Sequence, residues 1–315
     1  MRIAIPGARG LIGRRLVRLL LDQGHTPIAL TRSAKRTPAA PYQIEIRTWD
    51  PDQPDSGESA FQNIDGIVNL SGESVSSGRW SKERMKRIRD SRVLGNQRIV
   101  EVLNHIQNRP KILITGSAVG YYGSRGDELL TENSPGGEGF LAGVCRDLEF
   151  QADKASDLGM RVVWLRTGVV LSARGGALEK IRRPFSFGLG GRIGNGRQWF
   201  PWIHEDDIAR IILYSLETES IKGPVNGTAP NPVTNSVFTK VLADLLGRPA
   251  ILPIPETALK LIFGRMAEVL TASHRAIPKK LENSGYRFQY ADLSAGLSDC
   301  LVAEGARNLD QAHRT

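Results

Sequence analysis

Three glycines near the start of the chain, Gly7, Gly10 and Gly13, stand in "IAIPGARGLIGRRLVRLL", after a short apolar run and before a helical pattern. Glycine at such a turn takes backbone angles closed to other residues. A position without a side chain also lets a pyrophosphate come close to the backbone. The helix that follows begins at Leu11 and Ile12 and offers free N–H groups at the positive end of its dipole. Gly7, Gly10, Leu11, Ile12 and Gly13 are therefore the expected phosphate cradle of a dinucleotide. The second apolar run ends in Leu30-Thr31-Arg32-Ser33, with Lys35 and Arg36 close behind. An NAD site usually carries Asp or Glu there, to hold ribose hydroxyls. A guanidinium forks instead onto a 2′-phosphate, so Thr31 and Arg32 point to NADP(H). A further cation comes from helical spacing. Met85, Ile88, Arg92, Ile99 and Leu103 fall along one stripe, and Arg92 interrupts an otherwise apolar face. An inward charge needs an anion, which is either the cofactor's phosphates or a buried carboxylate.

These residues need a frame. Short runs rich in Ile, Val and Leu occur at 2–6, 26–32, 66–71, 111–118 and 161–166, and they read as buried parallel strands. Helical patterns at 11–23, 81–107 and 140–158 separate them. Strands alternating with helices predict an α/β fold, a doubly wound parallel sheet of the Rossmann kind. Beyond Arg166 the pattern changes. Residues 172–197 are rich in Gly and Arg. A helix is expected from near Glu205, with Asp206 and Asp207 in its first turn, and another over 234–246 between Thr234 as cap and Gly247 as stop. "AILPI" at 250–254 reads as a strand, 256–270 as a helix, and the terminal "NLDQAHRT" as a frayed end.

The 315 residues suffice for one large domain, or for a domain with a smaller lobe. No run approaches the roughly 18 apolar residues of a membrane helix. The start does not resemble a signal peptide. Cys145 and Cys300 suit a reducing compartment, so a cytoplasmic protein is expected. The net charge of +9 and pI near 9.8 are concentrated in places such as "RWSKERMKRIRDSR", 79–92. Such a stretch reads as a solvated helix face. No zinc-finger spacing or RNA-binding aromatic signature accompanies it, so nucleic acid rests on charge alone. No metal site is implied, and a homodimer is one assembly open to the chain.

Several further stretches, spread in order over almost the whole chain, carry a resemblance. They are "VNLSGE" (68–73), "GSAVGYYG" (116–123), "TENSPGGEGFLAGVC" (131–145), "LRTGVVLSARGGAL" (165–178), "PFSFGLGGRIGNGRQWFPWIHEDDIA" (184–209) and "GRPAILPIP" (247–255). With the glycine loop, they resemble the extended, sugar-epimerase-like branch of the short-chain dehydrogenase/reductase superfamily. More closely, the chain resembles an atypical subfamily of NAD-dependent epimerase/dehydratase-like proteins, some labelled cell division inhibitors. The resemblance implies a Rossmann domain over 1–230, with 170–200 contributing to a smaller C-terminal α/β substrate lobe, and a small family domain over 248–296. It implies NADP binding, and adds contacts at Leu70, Ser71, Arg92 and Val170.

The superfamily moves a proton with a Tyr and holds the ribose with a Lys four residues on, beside a Ser on the preceding strand. If Glu149 is the Glu that often follows that Lys, the Lys position is Cys145 and the Tyr position is Leu141. Ser117 matches the serine. Leucine has no proton to move. Ser117 and Tyr121 are then the candidate catalytic residues, with Tyr122, Cys145 and His204 as alternatives of blander meaning: pocket wall, buried apolar residue, helix cap. Trp199 and Trp202 line either a cleft or the core. Two functions stay open. One is an NADP(H)-dependent oxidoreductase or epimerase of altered mechanism. The other is a non-catalytic, NADP(H)-dependent binding or regulatory protein.

Overall fold

The computed structural model describes residues 1–32, 44–53, 57–76 and 78–312, with side chains through residue 302. The apolar runs become strands β1 (Arg2–Pro6), β2 (Thr26–Thr31), β3 (Glu45–Thr48), β4 (Gly66–Asn69) and β5 (Ile112–Ala118). With Arg161–Thr167 and Gly223–Gly227 they form one seven-stranded sheet. Its order from one edge is Gly223–Gly227, Arg161–Thr167, β5, β4, β1, β2, β3. Every neighbouring pair is parallel. This is the expected α/β, Rossmann-like sheet.

Alternation along each strand sends side chains to two cores. Ile3, Ile5, Val68 and Ile114 join one. It is covered by α1 (Leu11–Asp22) through Leu16 and Leu20, and by helix Glu205–Glu217 through Ile208 and Ile212. Ala4, Ile28, Ile67 and Leu113 join the other. It is covered by α2 (Glu58–Phe61) through Phe61, by α3 (Lys82–His105) through Ile99 and Leu103, and by α4 (Phe140–Asp153) through Ala152. Strands covered on both faces need apolar residues at every position, which is why they read as runs rather than alternations.

Both edge strands escaped the reading for the same reason. β3 is "EIRT" and mostly exposed, and Gly223–Gly227 is "GPVNG", with Pro224 tolerated because the strand is an edge. Other expectations hold locally. Ser81 caps α3 by accepting from Arg84 N–H. Thr234 caps helix Asn235–Leu246, which stops at Gly247 with φ +60°. Arg84, Lys86 and Arg89 of the basic stretch pair with Glu73, Asp90 and Asp147 at the surface.

Three expectations need correction. The 250–254 segment is not a strand among the described residues; it makes only an isolated bridge between Ile193 and Ile254. Pro253 and Pro255, which lack N–H groups, flank that bridge. The helix expected over 256–270 is broken into Glu256–Phe263, a tight turn Gly264–Met266 and Ala267–Thr271, with Gly264 at φ +59°. The Gly/Arg-rich stretch, for which the sequence pattern sets no element, holds an amphipathic helix, Ala177–Ser186, anchored by buried Leu178 and Phe185. Of the tail expected to fray, residues 308–312 instead continue helix Leu293–Ala312, and 313–315 lie outside the described residues. That helix packs Leu293, Leu297 and Cys300 with Trp202 and Phe238 into a third core, so Trp202 is core and not cleft.

No helix among the described residues is long and apolar enough to cross a membrane. No group of His, Cys, Asp and Glu among them could hold a metal ion.

Candidate functional site

The strand order reverses at β1. The chain runs from β1 outward to β2 and β3, and then returns to β4 on the other side. Such a switch point opens a crevice at the carboxyl ends of the strands. Gly7 ends β1 there with φ +86°. A Cβ on Gly7 would lie 2.6 Å from the Leu70 carbonyl carbon and 2.8 Å from Ser71 N, so the loops after β1 and β4 touch backbone to backbone. Leu70 N–H donates back to Pro6 O at 2.9 Å. Gly13 lets α1 close on the loop, since its Cβ would lie 2.3 Å from Gly7 O. Gly10 is different. It is exposed, and a Cβ there would meet only Gly7 O, at 3.2 Å. Gly7 and Gly13 thus serve the turn and the packing, and Gly10 keeps the outer approach clear. Among the described residues no side chain caps α1, and its first turn, with Leu11 and Ile12, carries no acid. Its leading N–H groups are left for an anion.

Ser71 is held in place by Asn69, whose Oδ1 accepts from Ser71 N (3.2 Å) and Oγ (2.6 Å). Asn69 is held in turn by Asn96 of α3, which takes its amide at 2.8 Å and the Thr115 hydroxyl at 2.9 Å. Both asparagines are buried, and sequence reading missed them. A polar residue at a core position of α3 was the available signal. Thr31 closes β2 and Arg32 follows it, exposed; Lys35 and Arg36 lie outside the described residues. Val170 lies in strand Val169–Leu171, beside Ile203. The loop after it passes over α1, where a Cβ on Gly176 would reach within 2.9 Å of Leu11.

Arg92 does point inward. Its Nη1 donates to the carbonyls of Glu73 (2.9 Å) and Ile88 (3.1 Å), and its guanidinium lies under Gly72. Among the described residues no carboxylate pairs with it; the Glu73 carboxylate goes to Arg84. Burial lowers the Arg92 pKa.

Ser117 sits at the end of a buried polar chain. Its hydroxyl donates to Glu149 Oε1 at 2.6 Å. Arg166 grips the same carboxylate twice, Nε to Oε1 at 3.0 Å and Nη2 to Oε2 at 2.8 Å. Arg166 also donates to the Tyr122 hydroxyl at 3.1 Å, and that hydroxyl donates to Asn226 Oδ1 at 2.7 Å. Burial pushes the Tyr122 phenol up to about 12. It pushes against the Arg166 charge too, but the hydrogen bonds and charge of Glu149 outweigh it and raise the Arg166 pKa. Tyr121 lays its ring on the Arg166 guanidinium, 3.4 Å from the centroid, and its hydroxyl end lies beside Gly136. In the sequence Glu149 marks only the register of the Lys position, and Arg166 only the end of a strand.

Leu141 and Cys145 share the α4 face turned toward residues 117–120. Cys145 Sγ donates to Ala118 O at 3.7 Å, and a Cβ on Gly120 would touch Leu141. Burial, with the Glu149 charge added, raises the Cys145 thiol to about 11, so it is neutral near pH 7 and no nucleophile. His204 is a cap. Its Nδ1 accepts from Asp206 N–H at the start of helix Glu205–Glu217, and the ring is 1% exposed. Trp199 is half-buried, donates to Asp127 at 2.8 Å, and lies under Arg275.

Next to Arg275, His274 is buried, and burial holds its imidazole down to about 4. The unfolded chain takes up that proton near pH 6.5, while the folded chain resists it. The stability is therefore full above pH 6.5 and is lost as pH falls toward 4, by about 3 kcal/mol. In His274→Leu, urea midpoints are expected to depend less on pH between 7 and 4 than in the wild type. Identical slopes would dismiss this role.

Known proteins match the chain along nearly all its length. The NAD dependent epimerase/dehydratase family matches residues 3–226, and a domain of unknown function (DUF1731) matches residues 254–300. The chain is 38% identical over 300 residues to the epimerase family protein SDR39U1 homolog, chloroplastic, of Arabidopsis thaliana; this covers 92% of the chain and 84% of that protein. The crystal structure of the human epimerase family protein SDR39U1 with NADPH aligns with TM-score 0.85 and 32% identity, over 95% of this chain and 99% of that one. A nucleoside-diphosphate sugar epimerase from Corynebacterium glutamicum aligns with TM-score 0.76 and 33% identity, over all of this chain and 68% of that one. With the switch-point crevice, the glycine turn and these matches together, the chain belongs to the NAD dependent epimerase/dehydratase family.

Proposed function

We propose that this chain binds NADP(H) and acts as an oxidoreductase or epimerase-like enzyme without the Tyr-x-x-x-Lys pair. The observation that carries the reading is the crevice after β1. It combines glycines that admit no side chain, an uncapped helix N-terminus and the exposed Arg32 at the end of β2. Gly7, Gly10, Leu11, Ile12 and Gly13 would hold the pyrophosphate, and Thr31 and Arg32 the 2′-phosphate. Leu70, Ser71, Arg92 and Val170 would line the rest. The human relative seen with NADPH supports this choice of cofactor. The bound nicotinamide would supply or accept a hydride. Leu141 and Cys145 would stand where the pair belongs, and neither moves a proton near neutral pH. Ser117 would orient a substrate oxygen with its lone pairs, its own proton being committed to Glu149. Tyr121 would be the proton donor. We also assign 1–230 to the cofactor domain and 248–296 to a small C-terminal lobe.

One observation favours a second reading, a non-catalytic protein whose partner surface answers to the cofactor. The position that would face the nicotinamide is the apolar Leu141, and the nearby Ser117 donates its proton to Glu149.

Calorimetric titration with NADPH and NADH tests the cofactor. NADPH is expected to bind more tightly, and Arg32→Ala to weaken it by about tenfold to a hundredfold, the worth of a charged hydrogen-bonded contact, while leaving NADH unchanged. Equal binding of the two, or an indifferent Arg32→Ala, would sink the reading.

A further inference from the structure

The family's tyrosine position opens onto an apolar wall. Leu141 belongs to one apolar cluster with Trp80, Phe140, Phe263 and Met266. Trp80 and Phe140 meet edge to face, with centroids 5.3 Å apart. Trp80 and Met266 are buried and form the floor, while Phe140, Leu141 and Phe263 are only half-buried and leave apolar surface open. One turn along α4 from Leu141, Cys145 reaches the Ala118 carbonyl, so the wall continues directly from the serine-bearing strand. Phe263 and Met266 belong to the C-terminal segment at 254–300.

Most of the polar groups bordering this wall already have partners, the buried Arg84 Nε being the exception. Ser117 gives its proton to Glu149, and Arg92 Nη1 is shared between two carbonyls. Arg84 holds Ser74 O and the Glu73 carboxylate, and Trp80 Nε1 donates to Val75 O at 2.9 Å. A sugar ring placed here would desolvate several hydroxyls against carbon with few groups to receive them, and each such loss lowers affinity. A flat apolar ring would instead bury its faces against the aromatic side chains.

We infer that the substrate subsite beside Leu141 takes an apolar, ring-bearing carbonyl compound and not a nucleotide sugar. This rests on the proposed reading of the crevice as an NADP(H) site, and the ligand test is independent of it. The wild-type protein is titrated calorimetrically with acetonaphthone and with UDP-glucose, each with and without NADPH. Acetonaphthone is expected to bind at least about tenfold more tightly than UDP-glucose. Leu141→Asn is expected to weaken acetonaphthone about tenfold, with circular dichroism confirming the fold; Phe263→Ser replaces it if that variant does not fold. UDP-glucose binding as tightly as acetonaphthone, no binding of acetonaphthone, or a folded variant that binds it unchanged would each overturn the inference. NADPH titration of the same samples reports the cofactor separately. Acetonaphthone bound by a protein that ignores NADPH would keep the subsite and remove the cofactor, and the reverse result would do the opposite.

Discussion

Glu149→Gln is expected to cost about 3–5 kcal/mol of folding stability, the penalty for leaving a buried charge without its partner. Glu149 and Arg166 have side chains only 6% and 3% exposed, and Arg166 holds both carboxylate oxygens. Glutamine keeps the shape but removes the charge, so the guanidinium stays in the interior uncompensated. At roughly 2 °C per kcal/mol for a chain of this size, the midpoint should fall by about 6–10 °C. Thermal and urea unfolding followed by circular dichroism read this out. Replacing both partners by apolar residues of similar volume should cost less than the single change, because no charge is then stranded. A single variant within about 1 kcal/mol of the wild type would mean that water reaches the pair in solution. The effect would extend to the site, because Ser117 and Tyr121 both rest on these two side chains.

Gly7→Ala comes next in size. At φ +86° an alanine carries a backbone strain of about 1–3 kcal/mol. Its methyl would also press on Leu70 C, Leu70 O and Ser71 N at 2.6–2.8 Å, all of them backbone atoms fixed by β4. Overpacking of this kind adds about 1–3 kcal/mol. The sum, about 2–6 kcal/mol, should appear as a lower urea midpoint. The displaced loops should also weaken NADPH by more than about tenfold in the same calorimetric titration. Gly10→Ala offers the contrast. Its Cβ meets protein only at 3.2 Å, so stability should change little. A Gly7→Ala protein as stable as Gly10→Ala would contradict the backbone contact between the two loops.

The parts of the fold that were legible in the sequence are those written by a single physical rule. A strand covered on both faces must be apolar throughout, so β1, β2, β4, β5 and Arg161–Thr167 could be read directly. The glycine turn could be read because its positions follow from backbone sterics. β3 and Gly223–Gly227 could not, because an edge strand borrows its hydrogen bonds from a neighbour and needs no apolar run. The break at Gly264 was hidden inside a stretch of good helix formers. The polar chain from Ser117 to Asn226 was the least legible. Its members lie up to 109 positions apart, and only the sheet brings Glu149, Arg166 and Tyr122 to one point. The helical stripe turns Arg92 inward, and so does the structure. Its partners turned out to be main-chain carbonyls, which no side-chain pattern announces.

Glu132 carries a consequence for how the chain is made. Burial raises the pKa of its carboxyl group, which accepts N–H bonds from Asn226 at 3.1 Å and from Lys280 at 3.2 Å. These donors come 94 and 148 residues later in the chain. During synthesis, which runs at roughly 5–20 residues per second, the acid waits roughly 5–30 s for them. Until residue 280 leaves the ribosome, the turn around Glu132 has no reason to sink beneath Arg161–Thr167. Most of the sheet can pair early, but its outer strand and that buried turn settle only when the C-terminal segment arrives. The segment around Lys280 thus acts as the latch on the middle of the fold.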